Sequence, residues 1–78
     1  MHYTYLLELS DNNYYVGSTK DLRARLKKHQ LGEVPHTSKH RPVDLAWYAS
    51  FKTRKLAQDF EKYLKSSSGK AFRNKRLI

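Results

Sequence analysis

Residues 3–17 read Tyr3-Thr4-Tyr5-Leu6-Leu7-Glu8-Leu9-Ser10-Asp11-Asn12-Asn13-Tyr14-Tyr15-Val16-Gly17, and this stretch decides the fold. Tyr3, Tyr5, Leu7 and Leu9 fall on one side of a period-two pattern, with Thr4, Leu6 and Glu8 on the other, which predicts a strand. Ser10 to Asn13 form a turn cluster, because Asp and Asn bond their own backbone and tolerate left-handed conformations. Tyr14 to Gly17 read as a second strand, and the two are expected to close as an antiparallel hairpin.

Past the hairpin, Asp21 is placed to cap a helix running to about Gln30. Leu22, Arg25, Leu26 and His29 share one face of it at i, i+3, i+4, i+7 spacing, while Lys20, Arg23, Lys27 and Lys28 lie off that stripe. Gly32 ends the helix, and Pro35 and Pro42 keep residues 31–42 irregular. Val43, Leu45, Trp47, Ala49 and Phe51 alternate as a third strand, with Trp47 expected as the largest core residue. Thr53 can cap a second helix reaching Leu64 or Lys65, with Leu56, Phe60, Tyr63 and Leu64 as its apolar stripe. Ser66-Ser67-Ser68-Gly69 breaks that helix. A last one over about 70–77 turns Phe72 and Leu77 inward and Lys70, Arg73, Lys75 and Arg76 outward. The predicted order is β-β-α-β-α-α, an α+β fold with a three-stranded antiparallel sheet packed with helices.

The chain has 78 residues, a length that fits one domain over 1–78. It carries 16 Lys+Arg against 7 Asp+Glu, a net charge of +9, which attracts polyanions: nucleic acid first, an anionic membrane second. The absence of cysteine excludes a disulfide scaffold, a thiolate zinc site and thiol catalysis, and suits a reducing cytoplasm. No apolar run approaches the roughly 20 residues of a membrane span, and the N-terminus lacks signal-peptide character.

Four groups of polar side chains stand out. Arg25 and His29 sit on the inward stripe of the first helix, where a plain core would carry apolar residues; snorkelling of Arg25 and a satisfied helix-end His29 is the ordinary alternative. Glu61 falls at the margin of the second helix's stripe, where pairing with Lys65 is the ordinary explanation. Six tyrosines punctuate a basic chain, and a neighbouring cation would favour the phenolate of any of them. His36 and His40 are four apart but lie in a proline-bounded loop without a third ligand, which argues against zinc. There is no phosphate-cradling glycine loop and no Ser/His/Asp or HExxH pattern.

In order along the chain, Tyr3-Thr4-Tyr5, Tyr15-Val16-Gly17, Arg25 with His29, Arg41-Pro42-Val43-Asp44-Leu45 and Phe60-Glu61-Lys62-Tyr63-Leu64-Lys65 resemble the GIY-YIG nuclease superfamily. The likeness is to its small stand-alone bacterial branch, related to the incision domain of the repair excinuclease. Tyr3 and Thr4 stand where the family has Gly and Ile, Val16 stands for Ile, and Ser18 stands where some members carry Lys. The resemblance implies a metal-dependent DNA endonuclease, with a link to repair or recombination. It implies that Tyr5 and Tyr15 flank the scissile phosphate, Tyr15 foremost as general base. Arg25 would stabilise charge, His29 would position phosphate or move a proton, and Glu61 would hold Mg²⁺, with Mn²⁺ as substitute. Gly17 would permit close packing at the site, and Asn74 is the candidate for an asparagine in the last helix. Lys20, Arg23, Lys27, Lys28, Lys70, Arg73, Lys75 and Arg76 would contact DNA, RNA being a further option. A protein partner could supply targeting, because these residues include no separate DNA-targeting segment. The alternatives are a basic nucleic-acid-binding module that does not cut, and a protein-interaction adaptor.

Overall fold

The hairpin closes in the computed structural model, which describes all residues 1–78. β1 (His2–Glu8) and β2 (Tyr14–Thr19) pair antiparallel, with Tyr5 opposite Gly17 and Leu7 opposite Tyr15. The turn uses its Asx residues as their chemistry dictates. Asn12 adopts φ +68°, and the Asp11 carboxylate accepts from the Asn13 backbone N–H and side-chain amide at 3.0 and 3.1 Å.

β3 (Asp44–Phe51) pairs antiparallel with the other side of β1, giving strand order β2-β1-β3 with a register shift between Leu6 and Leu7. β1 is therefore central and covered on both faces: Thr4, Tyr5, Leu6 and Leu7 are all buried. Period-two alternation in β1 separates two cores rather than core from solvent. Tyr5, Leu7, Leu9 and Val43 pack with Leu22 and Leu26 of α1 (Leu22–Gln30) on one face. Leu6, Val16 and Leu64 pack with Trp47, Phe60 and Leu77 on the other, beneath α2 (Arg54–Lys65) and α3 (Ser67–Arg76). Thr4 satisfies its buried hydroxyl by donating to the Ala57 carbonyl at 2.7 Å, which ties the central strand to α2.

The helix starts follow the sequence. Asp21 and Thr53 accept from the backbone N–H groups of Ala24 and Leu56, as N-caps do. Gly32 takes φ +78° just beyond α1, a left-handed position that glycine occupies without a Cβ penalty. The serine run behaves differently from expectation. Only Ser66 interrupts the helices: its hydroxyl donates to the Tyr63 carbonyl at 2.6 Å and accepts from Gly69 N–H at 3.1 Å, so one residue ends α2 and caps α3. α3 consequently begins at Ser67, three residues before the expected start.

Four apolar assignments shift. Leu56 and Tyr63 are exposed on α2, whose inward side is Ala57, Phe60 and Leu64; Phe72 on α3 is exposed as well. Trp47 is only half-buried, stacked at the sheet margin against Phe60 with ring centroids 5.7 Å apart, and Tyr5 is the largest fully buried side chain.

The α2–α3 joint leaves no room at Gly69, where a Cβ would strike the Tyr63 carbonyl oxygen and carbon. Backbone cannot yield as a flexible side chain does, so Gly69→Ala is expected to destabilise the fold by about 2–3 kcal/mol. A urea unfolding midpoint lowered without a change of slope is the expected result.

Candidate active site

α1 delivers Arg25 and His29 from consecutive turns onto the sheet face that carries Tyr5, Leu7 and Tyr15. His29 is completely buried, with its Nε2 3.0 Å from the Tyr5 hydroxyl and its Nδ1 2.7 Å from the Thr37 hydroxyl. The Tyr15 ring meets the His29 ring edge-on at 5.1 Å, and the Tyr5 ring does so at 5.7 Å. Gly17, opposite Tyr5 in the hairpin, creates the space: a Cβ there would collide with the Tyr5 hydroxyl, so that oxygen lies directly against the β2 backbone.

Burial pushes the Tyr5 phenol up to about 12; neighbouring Tyr15 adds to the rise, Arg25 opposes it by its charge and its N–H groups, and the Glu61 charge raises it further. His29 is held below the usual histidine value, first by burial and then by Arg25. Near neutral pH the pair is therefore a protonated phenol against an uncharged imidazole.

Glu61 comes from the other layer. Ser18 pairs with Thr4 and so faces α2, where its hydroxyl donates to Glu61 Oε1 at 2.7 Å; Lys65 donates to Oε2 at 2.8 Å. Tyr5, Tyr15, Arg25 and His29 gather on one face, and Glu61 reaches the edge strand β2 from behind it, beside Gly17. The expected Glu61–Lys65 ion pair is present, but it uses only one carboxylate oxygen.

Asn74 stays apart from this cluster. It is exposed on α3, where its side-chain oxygen accepts from Arg73 Nε at 3.2 Å. The basic residues divide between layers. Lys20 and Arg23 line an open depression of about 520 Å³ with Tyr3, Asp21, Leu22 and Tyr48, and Lys27 and Lys28 are exposed on α1. Lys70, Lys75 and Arg76 are exposed on α3, while Arg73 lies over the Tyr14 ring at 5.3 Å. His36 and His40 diverge, His36 against Tyr15 and His40 toward Asp11 at 3.4 Å, and no three potential metal-ligating side chains of the His, Cys, Asp and Glu types cluster anywhere. Ser18 and Thr37 are the site neighbours that sequence reasoning passed over. Neither carries a local signal, since each gains its role from a residue far off in the chain.

The chain matches the GIY-YIG catalytic domain over residues 1–76. It belongs to the GIY-YIG family. It is 37% identical over 70 residues to the UPF0213 protein YazA of Bacillus subtilis (strain 168), covering 88% of this chain and 71% of that protein. It is 38% identical to the UPF0213 protein HQ_3675A of Haloquadratum walsbyi, covering 83% and 74% of the two chains. The solution NMR structure of the UPF0213 protein BH0048 from Bacillus halodurans superposes with a TM-score of 0.59 at 31% identity, covering 95% of this chain and 82% of that one. GIY-YIG membership implies a nuclease, hence nucleic-acid binding, and GIY-YIG nucleases are in general metal-dependent. No helix is long and apolar enough to cross a membrane.

The two perturbed groups of the site, Tyr5 and His29, shift in opposite directions. The unfolded chain protonates its histidine near 6.5, above the folded His29 value, so His29 contributes stability above that pH and loses it as pH falls through the folded value. Tyr5 contributes fully below about 10, and its contribution fades as pH rises toward about 12. Urea midpoints should fall between pH about 7 and about 5, and fall less in His29→Gln. Phenolate absorbance should show a tyrosine titrating near 12 that is missing from Tyr5→Phe.

Proposed function

We propose that residues 1–78 act as one metal-dependent DNA endonuclease domain, with Tyr5, Tyr15, Arg25, His29 and Glu61 as its working side chains. The observation that supports this most is the fully buried Tyr5–His29 pair. Burying polar groups is costly even when they are bonded, and a domain of this size has little stability in reserve. Only 13 of 78 residues are buried, so a phenol and an imidazole in that company point to chemistry rather than packing.

Tyr15 is half-buried beside His29 and is the tyrosine positioned to meet solvent; it orients the attacking water or takes its proton. Tyr5 and His29 lie behind it as an uncharged, prearranged support. Arg25 stabilises negative charge as the pentacoordinate phosphorus centre develops, where a fixed cation in a partly dry site acts strongly. Exposed Lys20, Arg23, Lys27 and Lys28 bind the flanking phosphates.

The donor set suits Mg²⁺, or Mn²⁺ in its place. A single carboxylate with a hydroxyl beside it matches a hard cation that keeps several waters and shares phosphate oxygens with the substrate. Glu61 would hold it, and when bound the ion supplies Lewis-acid stabilisation of the phosphate. Lys65 is no obstacle, because an exposed i, i+4 ion pair contributes only about 0.3–0.5 kcal/mol and yields to a divalent ion. DNA is the substrate, with repair or recombination as the setting, in the reducing cytoplasm that a cysteine-free chain suits.

Glu61→Gln keeps the shape and removes the charge. It should lower Mg²⁺-dependent cleavage by about 100-fold or more while DNA affinity changes by about twofold or less. Arg25→Ala should lose a similar factor with a modest loss of binding, and Tyr15→Phe should be impaired. Affinity should fall with salt, log K losing about 0.9 per log unit of salt for each phosphate neutralised. Near wild-type cleavage by Glu61→Gln would remove the metal assignment, and salt-sensitive binding without any cleavage would leave a binding module.

A further inference from the structure

Thr37 is fully buried in the loop between α1 and β3, and its hydroxyl meets His29 Nδ1 at 2.7 Å. The loop fixes it in place: Thr37 and Ser38 both donate N–H to the Val34 carbonyl, and Thr37 accepts from His40 N–H through its own carbonyl. A neutral imidazole has one N–H and one acceptor nitrogen, so its two neighbours decide which nitrogen carries the hydrogen.

The Tyr5 end sets one condition. The phenolic hydrogen of a fully buried Tyr5 has one acceptor at bonding distance, His29 Nε2 at 3.0 Å, whereas neighbouring Arg25 has only N–H donors to offer. This favours Nε2 as the acceptor, with the hydrogen on Nδ1 as long as Nδ1–H has a partner of its own. The Thr37 end agrees. With Nδ1–H donating to the Thr37 oxygen at 2.7 Å, the single hydroxyl hydrogen still has the Val34 carbonyl, which can only accept, within reach at 3.5 Å.

We propose that Thr37 is a positioning residue that fixes His29 as the Nδ1–H tautomer, so that Nε2 takes the Tyr5 hydrogen and the Tyr5 oxygen keeps its lone pairs for the N–H groups of neighbouring Arg25. With the opposite tautomer, Nε2–H would point at the Tyr5 oxygen and drive the phenolic hydrogen toward a guanidinium that offers only hydrogens. Thr37 thus sets, through two side chains, how the cation of the site is held. The catalytic consequence rests on the nuclease reading above; the tautomer does not.

The test is nitrogen-15 NMR of the His29 imidazole in the full chain above its titration, combined with DNA cleavage kinetics. Wild type is expected to show Nδ1 protonated and Nε2 as the bare, accepting nitrogen. Thr37→Val, of similar shape without the hydroxyl, should lose that preference and lower kcat by about tenfold with KM changed by about twofold or less, the low end of losses from removing an orienting partner. Thr37→Ser keeps an oxygen in place and should restore both tautomer and kcat. A wild-type spectrum with Nε2 protonated overturns the proposal whether or not the protein cuts DNA. So does an unchanged tautomer in Thr37→Val, or a Thr37→Ser variant that fails to restore it. If Thr37→Val does not fold, the wild-type and Thr37→Ser spectra decide alone. An Nδ1–H wild type that cleaves no DNA upholds the tautomer assignment and overturns the nuclease reading.

Discussion

One hydrogen bond, from the Tyr5 hydroxyl to His29 Nε2, joins the middle of the central strand to the last turn of α1, and much of the first layer is arranged around it. It needs Gly17 opposite Tyr5, because any side chain there would occupy the place of the phenol. It needs Thr37 behind the imidazole, because a buried second nitrogen without a partner would carry a desolvation cost of about 1–3 kcal/mol. No buried side-chain nitrogen or oxygen lacks a partner in the whole structure, so the polar cluster is accommodated without a residual deficit.

What the sequence revealed depends on how local each signal is. The hairpin turn, the N-caps Asp21 and Thr53 and the glycine after α1 act over three or four residues, and each lies where its chemistry predicts. The two-sided burial of β1 follows from strand order, which a period-two pattern does not contain. Leu56 and Tyr63 fit the stripe by spacing, yet α2 is rotated so that small Ala57 rests against Thr4, and the rotation leaves those larger side chains outside. Ser66 was obscured by the two serines after it, since composition marks a break but does not say how short the break is.

The site was legible as a set of misfits. Arg25 and His29 interrupt an apolar stripe, and the spacing of Tyr5, Tyr15 and Gly17 matches a family pattern. That Glu61 approaches from the opposite layer depends on which face α2 covers, a long-range property. Ser18 and Thr37 were invisible for the same reason: they matter through partners 43 and 8 residues away. Charge was legible in amount but not in arrangement, because the basic residues of α1 and α3 lie on opposite sides of the sheet. DNA following the α1 side cannot be touched at the same time by every base of α3 without wrapping around the domain edge.

The two cores that meet only at β1 have unequal duties. The face toward α1 carries the phenol, the imidazole and the guanidinium, whereas the face toward α2 and α3 is aliphatic and aromatic, with Trp47 against Phe60 and the ring contacts running outward to exposed Tyr63 and Phe72. The first face is chemically constrained by its hydrogen bonds. The second varies more freely in shape, away from the Thr4–Ala57 hydrogen bond and the tight joint at Gly69, so long as it stays apolar and avoids the carboxylate at Glu61. Sequence drift and laboratory stabilisation should therefore concentrate on the far side of the sheet, where tighter packing can offset the burden of polar groups in the near side. One shared strand lets a gain on either face reinforce the other.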